Sequence, residues 1–322
     1  MSSTQNVLAA TETPVVFFIF NRPELTRHTF EAIRKAQPAR LYVIADGPRD
    51  MFLEDARLCE DARKITEEVD WPCEVIRITA EQNLGLKERI SGGLNQVFQR
   101  EERAIILEDD CLAHPHFFRF CDQLLERFED NPDVWTIGGS NFLHGVLSVN
   151  SSYYFSRYNH CWGWATWKRA WQAYDGEISF WPEWQSSDRW RALLPDKVER
   201  SYWEDIFDRV YRKQVNSWAY PWTASVWYHE GLTVTPAVNL VKNIGFGEDA
   251  THTRNHNQSV ETGRILNENG LDHPEYSTRM EEADLYVFNH FFGGKNLRFP
   301  RNLLYYPWVL LNRLLHFFKS AW

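Results

Sequence analysis

The chain has 322 residues, a length that suits one large domain or two and allows a sizeable core. Apolar residues make up 43% and charged residues 25%, as in ordinary globular proteins, and the formal net charge is −9. This acidic balance argues against a general nucleic-acid binder, but not against a nucleotide, which a few basic side chains can hold locally.

Short apolar runs in the first 140 residues predict five strands, and segments with apolar residues at helical spacing lie between several of them. The predicted strands are 14–20, 40–48, 73–79, 104–109 and 133–139, and the predicted helices are 21–36, 84–99 and 114–130. Pro23 suits a first helical turn, whereas Gly92 and Gly93 weaken their helix. Strands that alternate with helices predict a doubly wound, mostly parallel α/β sheet.

Polar side chains follow three of these strands. Ligands of such sheets bind at the carboxyl ends of the strands, so Asn21, Arg22, Asp46 and the acids of 108–110 should meet at one rim. Crowded carboxylates favour a bound cation, and their oxygen atoms suit Mg²⁺ or Mn²⁺. Taken alone, "ILEDDCLAHP" fits a solvated strand-to-helix turn equally well.

Aromatic residues dominate the chain beyond residue 140, where the strand–helix alternation ends. Most of the 15 Trp residues are expected in the core, and a few that line a cleft would suit a carbohydrate acceptor. The segment 302–322 is rich in Leu, Tyr, Trp and Phe. Its composition predicts a helix that lies in a membrane interface or one that docks on its own domain or on a second subunit.

Composition and the N-terminal segment bear on location. The five Cys residues show no CxxC spacing, so neither a zinc site nor a disulfide framework is predicted. The first 13 residues are polar and are expected to be disordered, and they lack the pattern of a secretory signal. The expected location is therefore cytoplasmic, with peripheral contact to the inner face of the cell membrane as a further possibility.

Several stretches resemble GT-A-fold glycosyltransferases: "FIFNRPELTRHTFEAI", "VIADGP" and "IILEDDCLAHPHFFRF", the last resembling a DXD-type metal motif. The Glu-Asp-Asp triplet and the helix after it are similar to those of Golgi N-acetylglucosaminyltransferase I. "CWGWATWKRAW" is similar to bacterial glycosyltransferases of surface-polysaccharide pathways. The resemblance covers about residues 14–255 and is looser beyond 140. It implies a nucleotide-binding half at 14–140 and a donor-sugar and acceptor half at 141–257. The remaining segment, 258–322, is outside the resemblance and is expected to be a C-terminal helical extension.

The resemblance assigns roles to the acids of the rim. It implies that Asp110 ligates Mn²⁺ or Mg²⁺ and that Asp109 faces the ribose or the metal-bound diphosphate. Glu108 would support the site near the donor sugar. A metal held there would neutralise the leaving diphosphate as a Lewis acid.

The resemblance also implies donor-binding residues in other segments. Asp46 would contact the base, Arg22 the nucleotide, and Arg89 the nucleotide at a position that is His in the relative. The stretch "NHCWGWATWKRAW" would close on the donor sugar, because Gly163 permits close approach of the backbone. Trp162 or Trp164 would stack on the sugar, unless these side chains belong to the core.

A carboxylate in "SYWEDIFDRVYR" is the expected base, placed near the start of a helix and aimed at an acceptor hydroxyl. One register of the resemblance makes Glu204 the base, and the other, slightly preferred, makes Asp205 the base. In the Gly-rich loop "GFGEDATHTRN", His252 is the candidate for a second metal ligand, because a neutral imidazole binds borderline metals.

The leading hypothesis is a metal-dependent glycosyltransferase that moves a sugar, most simply from a UDP-sugar, to a hydroxyl of a glycan or glycolipid with inversion. A sugar nucleotidylyltransferase is the alternative within enzymes, but "NRPELT" replaces the Gly-rich basic loop that this class carries after its first strand. A carbohydrate-binding protein without catalytic activity is the third hypothesis. The C-terminal segment could mediate membrane contact or self-association.

Overall fold

The computed structural model describes residues 10–245, 265 and 270–303. The five strands predicted for the first 140 residues are confirmed, with ends that differ by at most three residues. The elements of this half are β1 (Val15–Ile19), α1 (Pro23–Ala36), β2 (Arg40–Ala45), α2 (Asp55–Ile65), β3 (Glu74–Thr79), α3 (Leu86–Val97), β4 (Arg103–Glu108), β5 (Cys111–Ala113), α4 (Pro115–Arg127) and β6 (Val134–Gly138).

The second half adds further strands to the same sheet and a group of helices. Its elements are β7 (Tyr153–Ser156), β8 (Trp164–Trp167), α5 (Lys168–Trp171), α6 (Trp181–Ser186), α7 (Asp188–Leu193), α8 (Lys197–Tyr211), α9 (Ala219–Tyr228), β9 (Leu232–Pro236), β10 (Val241–Asn243), α10 (Glu281–His290) and α11 (Gly294–Leu297).

Eight strands form one mostly parallel sheet in the order β3-β2-β1-β4-β8-β6-β9-β7, and β10 pairs with β5 in a small second sheet. Strands β7 and β8 run antiparallel to their neighbours, and the other six strands share one direction. The predicted α/β class with a mostly parallel sheet is therefore confirmed. β1 pairs with both β2 and β4, so the three polar strand ends lie side by side.

Both faces of the sheet are covered, which explains why its strands are apolar on both sides. On β1, Val16 and Phe18 enter one core, while Val15, Phe17 and Ile19 enter the other. The first core is rich in Trp and includes residues of α3, α8, α9 and α10. The second core is closed by α1, α2 and α4. The aromatic richness of the second half therefore builds one of the two layers that flank the sheet.

Two boundaries differ from expectation. Residues 10–13 were expected to be disordered, but Thr11 and Thr13 are buried, and the Thr13 N–H donates to Asp122 Oδ1 at 3.0 Å. Helix α8 begins at Lys197 instead of near residue 201, because the Asp196 carboxylate caps it by accepting from two backbone N–H groups of the first turn.

Helix α10 packs against the body of the protein. The Asp284 carboxylate of α10 accepts a hydrogen bond from Ser156 Oγ at 2.5 Å and lies 3.5 Å from Arg157 Nε. None of the helices within the described ranges is long and apolar enough to cross a membrane. The segment 304–322, for which an interfacial or docking helix was predicted, lies outside the described residues.

The two neighbouring glycines of α3 should respond oppositely to replacement by alanine. A methyl group at Gly92 would meet no atom within 4 Å, whereas one at Gly93 would lie 2.9 Å from Ile44 Cδ1 and from Phe18 Cε1. Gly92→Ala should raise the free energy of unfolding by roughly 0.5–1 kcal/mol, since alanine is the better helix former. Gly93→Ala should lower the free energy of unfolding by about 1–3 kcal/mol relative to the wild type, since the added methyl group overpacks the core.

Guanidinium unfolding of both variants tests this difference. Equal stabilities would show that α3 does not pack against the sheet as closely as described.

Candidate active site

The carboxyl ends of β1, β2 and β4 bring the predicted rim residues together. Arg22 donates from Nε and Nη2 to the Asp109 carboxylate, and its Nη1 donates to Asp110 Oδ2 at 3.1 Å. Thr29 Oγ also fixes this turn by donating to the Asp109 carbonyl oxygen at 2.9 Å. The first predicted helix therefore supplies the cation that neutralises part of the acidic turn after β4.

The charges of this turn are unevenly balanced, because three neighbouring carboxylates face one guanidinium. Burial raises the pKa of Glu108, and the charges of Asp110 and Asp109 raise it further. Burial also raises the pKa of Asp109, against the opposing effect of Arg22. Burial alone would lower the pKa of Arg22, but the carboxylates outweigh it and raise that pKa. The turn therefore carries an excess of negative charge, which a further cation would balance.

Two cavities meet at this turn and share Arg22, Leu86 and Glu108 in their walls. The first, called the polar cavity, has a volume of about 640 Å³, within the range of small-molecule sites. Its other lining residues include Phe20, Asn21, Asp46, Arg49, Phe52, Asp55, Asn83, Arg89 and Asp109. The second, called the aromatic cavity, has a volume of about 360 Å³. Its other lining residues include Asp110, Phe142, Asn159, His160, Trp162, Trp203, Trp218, Tyr220, Phe291 and Phe292.

Arg89 presents a buried guanidinium to the polar cavity. Its Nη2 donates to the Ile78 carbonyl oxygen at 2.7 Å, while its Nε has no partner in the described part of the chain. Burial lowers the pKa of Arg89. A buried cation with an unused N–H favours an anionic or oxygen-rich ligand nearby.

Asp46 lies in the polar cavity, but its carboxylate serves the protein itself. It accepts hydrogen bonds from the backbone N–H groups of Gly47, Leu84 and Gly85 and from Asn83 Nδ2, at 2.9–3.1 Å. These four bonds use the usual acceptor capacity of a carboxylate. The expected contact of Asp46 with a base would therefore displace one of them, and the structure gives Asp46 the task of fixing the loop before α3.

A second group of side chains also lines the polar cavity. The Arg49 guanidinium lies 3.7 Å from the ring centroid of Phe52 and donates to the Asp55 carboxylate from Nε at 2.6 Å and Nη2 at 3.0 Å. Asn21 Nδ2 donates to the same carboxylate at 2.7 Å. The composition of the segment 49–55 did not single out this wall.

The predicted donor-sugar stretch reaches the aromatic cavity in part. Trp162 lines the cavity, but Trp164 is buried in the core, where it stacks on Trp218 with 5.6 Å between ring centroids. Gly163 has a φ of 62°, and a methyl group there would lie 2.6 Å from a Val241 side-chain carbon. Gly163 is therefore required by packing against β10, and Trp164 does not contact either cavity.

Neither expected base lines a cavity. Glu204 Oε1 accepts a hydrogen bond from Trp190 Nε1 at 2.9 Å, and Asp205 has a largely exposed side chain that pairs with Arg209 at 3.7 Å. Both residues lie in the middle of α8 and not near its start. Their neighbour Trp203 lines the aromatic cavity instead, because successive helical residues point in directions about 100° apart.

Asp110 is suited to the expected role of metal ligand. It lines the aromatic cavity, whereas Asp109 is almost fully buried and is held through both of its oxygens by Arg22. Among the described residues no group of three or more His, Cys, Asp or Glu side chains could hold an ion. Mg²⁺ commonly uses one or two carboxylates together with substrate phosphates, and this donor set fits Asp110. The other candidate, His252, lies outside the described residues.

Several lining residues of the aromatic cavity were not predicted. Phe291 and Phe292 follow α10, beyond the part of the chain that the resemblance covers, and Phe142 packs on Phe291 with 4.1 Å between ring centroids. His160 lies among these rings, and burial lowers its pKa to about 3, so its imidazole is neutral at physiological pH. A cluster of aromatic residues in sequence was the only signal, and it does not distinguish a cavity wall from a core.

Comparisons with known proteins add structural likenesses only. No protein-family model matches the chain, and no curated protein matches it. A protein from Desulfovibrio desulfuricans G20, provisionally assigned as a nucleotide-diphospho-sugar transferase, is 14% identical with a TM-score of 0.34; the match covers 70% of this chain and 79% of the other. A mannosyltransferase from Pyrobaculum calidifontis, solved with GDP-Man and Mn²⁺, is 12% identical with a TM-score of 0.37, over 70% of this chain and 73% of the other.

A third solved structure is CMP:2-keto-3-deoxy-manno-octonic acid synthetase with CTP. It is 12% identical with a TM-score of 0.34, and the match covers 70% of this chain and 89% of the other. At such low identities and TM-scores, these likenesses assign no activity to this chain.

The Asp55 carboxylate should make the fold sensitive to acid. Hydrogen bonds from Arg49, followed by that from Asn21, lower the pKa of Asp55 to about 2, below the usual value of an unfolded chain. Its stabilising contribution is therefore complete above pH about 4 and is lost as the pH falls towards 2. Asp55→Asn should be less stable than the wild type at pH 7, and this difference should shrink between pH 4 and 2.

Chemical unfolding at a series of pH values measures this effect. Asp188→Asn is the control, since that side chain is 99% exposed and its replacement should leave the profile unchanged. A constant difference between Asp55→Asn and the wild type from pH 7 to 2 would contradict the account.

Proposed function

We propose that this chain is a glycosyltransferase that moves a sugar from a nucleotide diphosphate to a hydroxyl of a glycan or glycolipid, in surface-polysaccharide synthesis. The observation that carries this proposal is the adjacency of the polar and aromatic cavities at Glu108. A nucleotide in one cavity and a sugar in the other would place the bond between them beside the acids of residues 108–110.

The polar cavity supports a nucleotide donor, with UDP as the first candidate. Arg22 and Arg89 offer guanidinium groups to phosphate or ribose oxygens, and Arg49 with Phe52 offers a flat surface on which a base can stack. The aromatic cavity supports a sugar, because aromatic faces pack against the C–H faces of sugar rings. A nucleotidylyltransferase would also hold a sugar beside its nucleotide, but "NRPELT" stands where that class carries its Gly-rich basic loop.

A divalent metal belongs to the proposal. Asp110 would hold Mn²⁺ or Mg²⁺ together with the diphosphate, and the bound cation would neutralise the charge that develops on the leaving group. Arg22 would contribute to the same neutralisation, since it already lies between Asp109 and Asp110. Glu108 would face the donor sugar from the junction of the cavities.

The course of transfer is proposed as a single displacement with inversion at the anomeric carbon. The acceptor oxygen would bond to that carbon as its bond to the diphosphate breaks, and the hydroxyl proton would pass to Glu108, the carboxylate that lines both cavities. Comparison of the anomeric configurations of donor and product by NMR tests this, and retention would contradict it. Contact of the C-terminal segment with a membrane or a second subunit stays a prediction.

A thermal-shift screen tests the proposed function. UDP-, GDP-, dTDP- and CMP-sugars are each added with Mn²⁺, and one group should raise the unfolding midpoint, because a ligand at 100 times its Kd stabilises the native state by about 2.7 kcal/mol. The rise should be smaller with EDTA or in Asp110→Asn. No rise with any nucleotide sugar would contradict the proposal. Release of pyrophosphate from a nucleoside triphosphate and a sugar phosphate would indicate a nucleotidylyltransferase instead.

Replacement of single carboxylates should show whether catalysis depends on the junction of the cavities or on helix α8. Glu108→Gln should lower kcat about 100-fold, as expected when a carboxyl group that takes part in proton transfer is removed, whereas Glu204→Gln and Asp205→Asn should stay within about twofold of wild type. Initial rates with the donor found in the screen measure these effects. A 100-fold loss in either α8 variant would show that α8 supplies the base after all.

A further inference from the structure

The aromatic cavity contains a side-chain amide without a hydrogen-bond partner. Asn159 lines this cavity, and both its Nδ2 and its Oδ1 are buried and make no hydrogen bond within the described residues. An amide of this kind can donate two hydrogen bonds and accept two. Leaving such a buried group unpaired costs about 1–3 kcal/mol, so its retention calls for an explanation.

Other asparagines of the same region show what a structural amide looks like here. Asn141 Nδ2 donates to the Pro236 carbonyl oxygen at 2.6 Å, and its Oδ1 accepts from the Leu143 N–H at 2.7 Å. Asn243, which also lines the cavity, accepts from the Gly245 N–H at 2.8 Å. These amides tie loops together, whereas the Asn159 amide makes no hydrogen bond to any residue of 10–245 or 270–303. Turning this amide towards a ligand would therefore break no hydrogen bond within these ranges.

The unpaired donor and acceptor of the Asn159 amide limit the kinds of ligand that can satisfy both atoms. A phosphate or carboxylate would satisfy only the Nδ2 donor, and an apolar group would satisfy neither atom. Two neighbouring hydroxyls of a sugar ring satisfy both, since one can accept from Nδ2 and the other can donate to Oδ1. The surrounding rings of Phe142, Trp162 and Phe291 suit the C–H faces of the same sugar.

We propose that Asn159 recognises a pair of neighbouring hydroxyls on the sugar that occupies the aromatic cavity. This inference rests on the proposed function and adds the residue that would set the specificity for hydroxyl configuration. The sugar is either that of the donor or that of the acceptor, and binding measurements distinguish the two.

Stability gives a first test that needs no ligand. Asn159→Leu keeps the branched shape and removes an unpaired amide, so its unfolding midpoint should equal or exceed that of the wild type. Asn141→Leu is the matched control, and its midpoint should fall because it breaks two hydrogen bonds. A fall in Asn159→Leu as large as that in the control would show that the amide has a structural task and would overturn the proposal.

Calorimetry gives the second test. The wild type is titrated with UDP-, GDP-, dTDP- and CMP-sugars, and the one that binds most tightly is compared with its sugar-free nucleotide. If the donor sugar is recognised, Asn159→Leu binds the nucleotide sugar about tenfold more weakly and the sugar-free nucleotide as tightly as before. If the acceptor is recognised, donor affinity is unchanged and the KM for p-nitrophenyl hexosides rises about tenfold.

A series of deoxy-sugars completes the test. A donor or acceptor that lacks the recognised hydroxyl should bind the wild type as weakly as the complete sugar binds Asn159→Leu. Asn159→Leu should bind the deoxy-sugar and the complete sugar equally well. Unchanged affinity of Asn159→Leu for every ligand of both arms overturns the inference and leaves the glycosyltransferase proposal intact. Failure of the wild type to bind any nucleotide sugar contradicts both.

Discussion

The ion pairs of Arg22 with Asp109 and Asp110 join the segment after β1 to the turn after β4, and the rest of the site is arranged around this contact. Arg22 follows β1 and the acids follow β4, and the parallel pairing of Phe18 with Glu108 fixes how these ends meet. Removal of one partner from a buried ion pair typically costs 3–5 kcal/mol, because the other charge is left uncompensated. The same charges lie at the junction of the two cavities, so the pairing of β1 with β4 also positions the site.

The balance of charge at this point also supports the proposed binding of a diphosphate together with a cation. Three carboxylates exceed the single guanidinium, and burial raises the pKa of both Glu108 and Asp109. A divalent cation would relieve this excess, and its phosphate ligands would bring oxygen atoms within reach of Arg22. The site is therefore suited to bind the cation and the anion together more readily than either alone.

The rim could be predicted from the sequence because its signals are local. Apolar runs define the strands, and the residues after each run, such as Arg22 and Asp110, follow from the parallel arrangement. Of the rings that line the aromatic cavity only Trp162 was expected, because residues such as Phe142 and Phe292 come from distant segments and look like core residues in sequence. The base in helix α8 stays a prediction, because a shift of one residue, from Trp203 to Glu204, decides whether a side chain lines the cavity.

Hydrogen exchange of the backbone amides, with and without ligand, tests most directly the claim that the two cavities form one donor site. A sugar-free nucleotide with Mn²⁺ should slow exchange in residues 46–58 and 83–90 around the polar cavity. The corresponding nucleotide sugar should extend this protection to 159–163 and 217–223. Protection that appears only outside these segments, or that is the same with and without the sugar, would contradict the account.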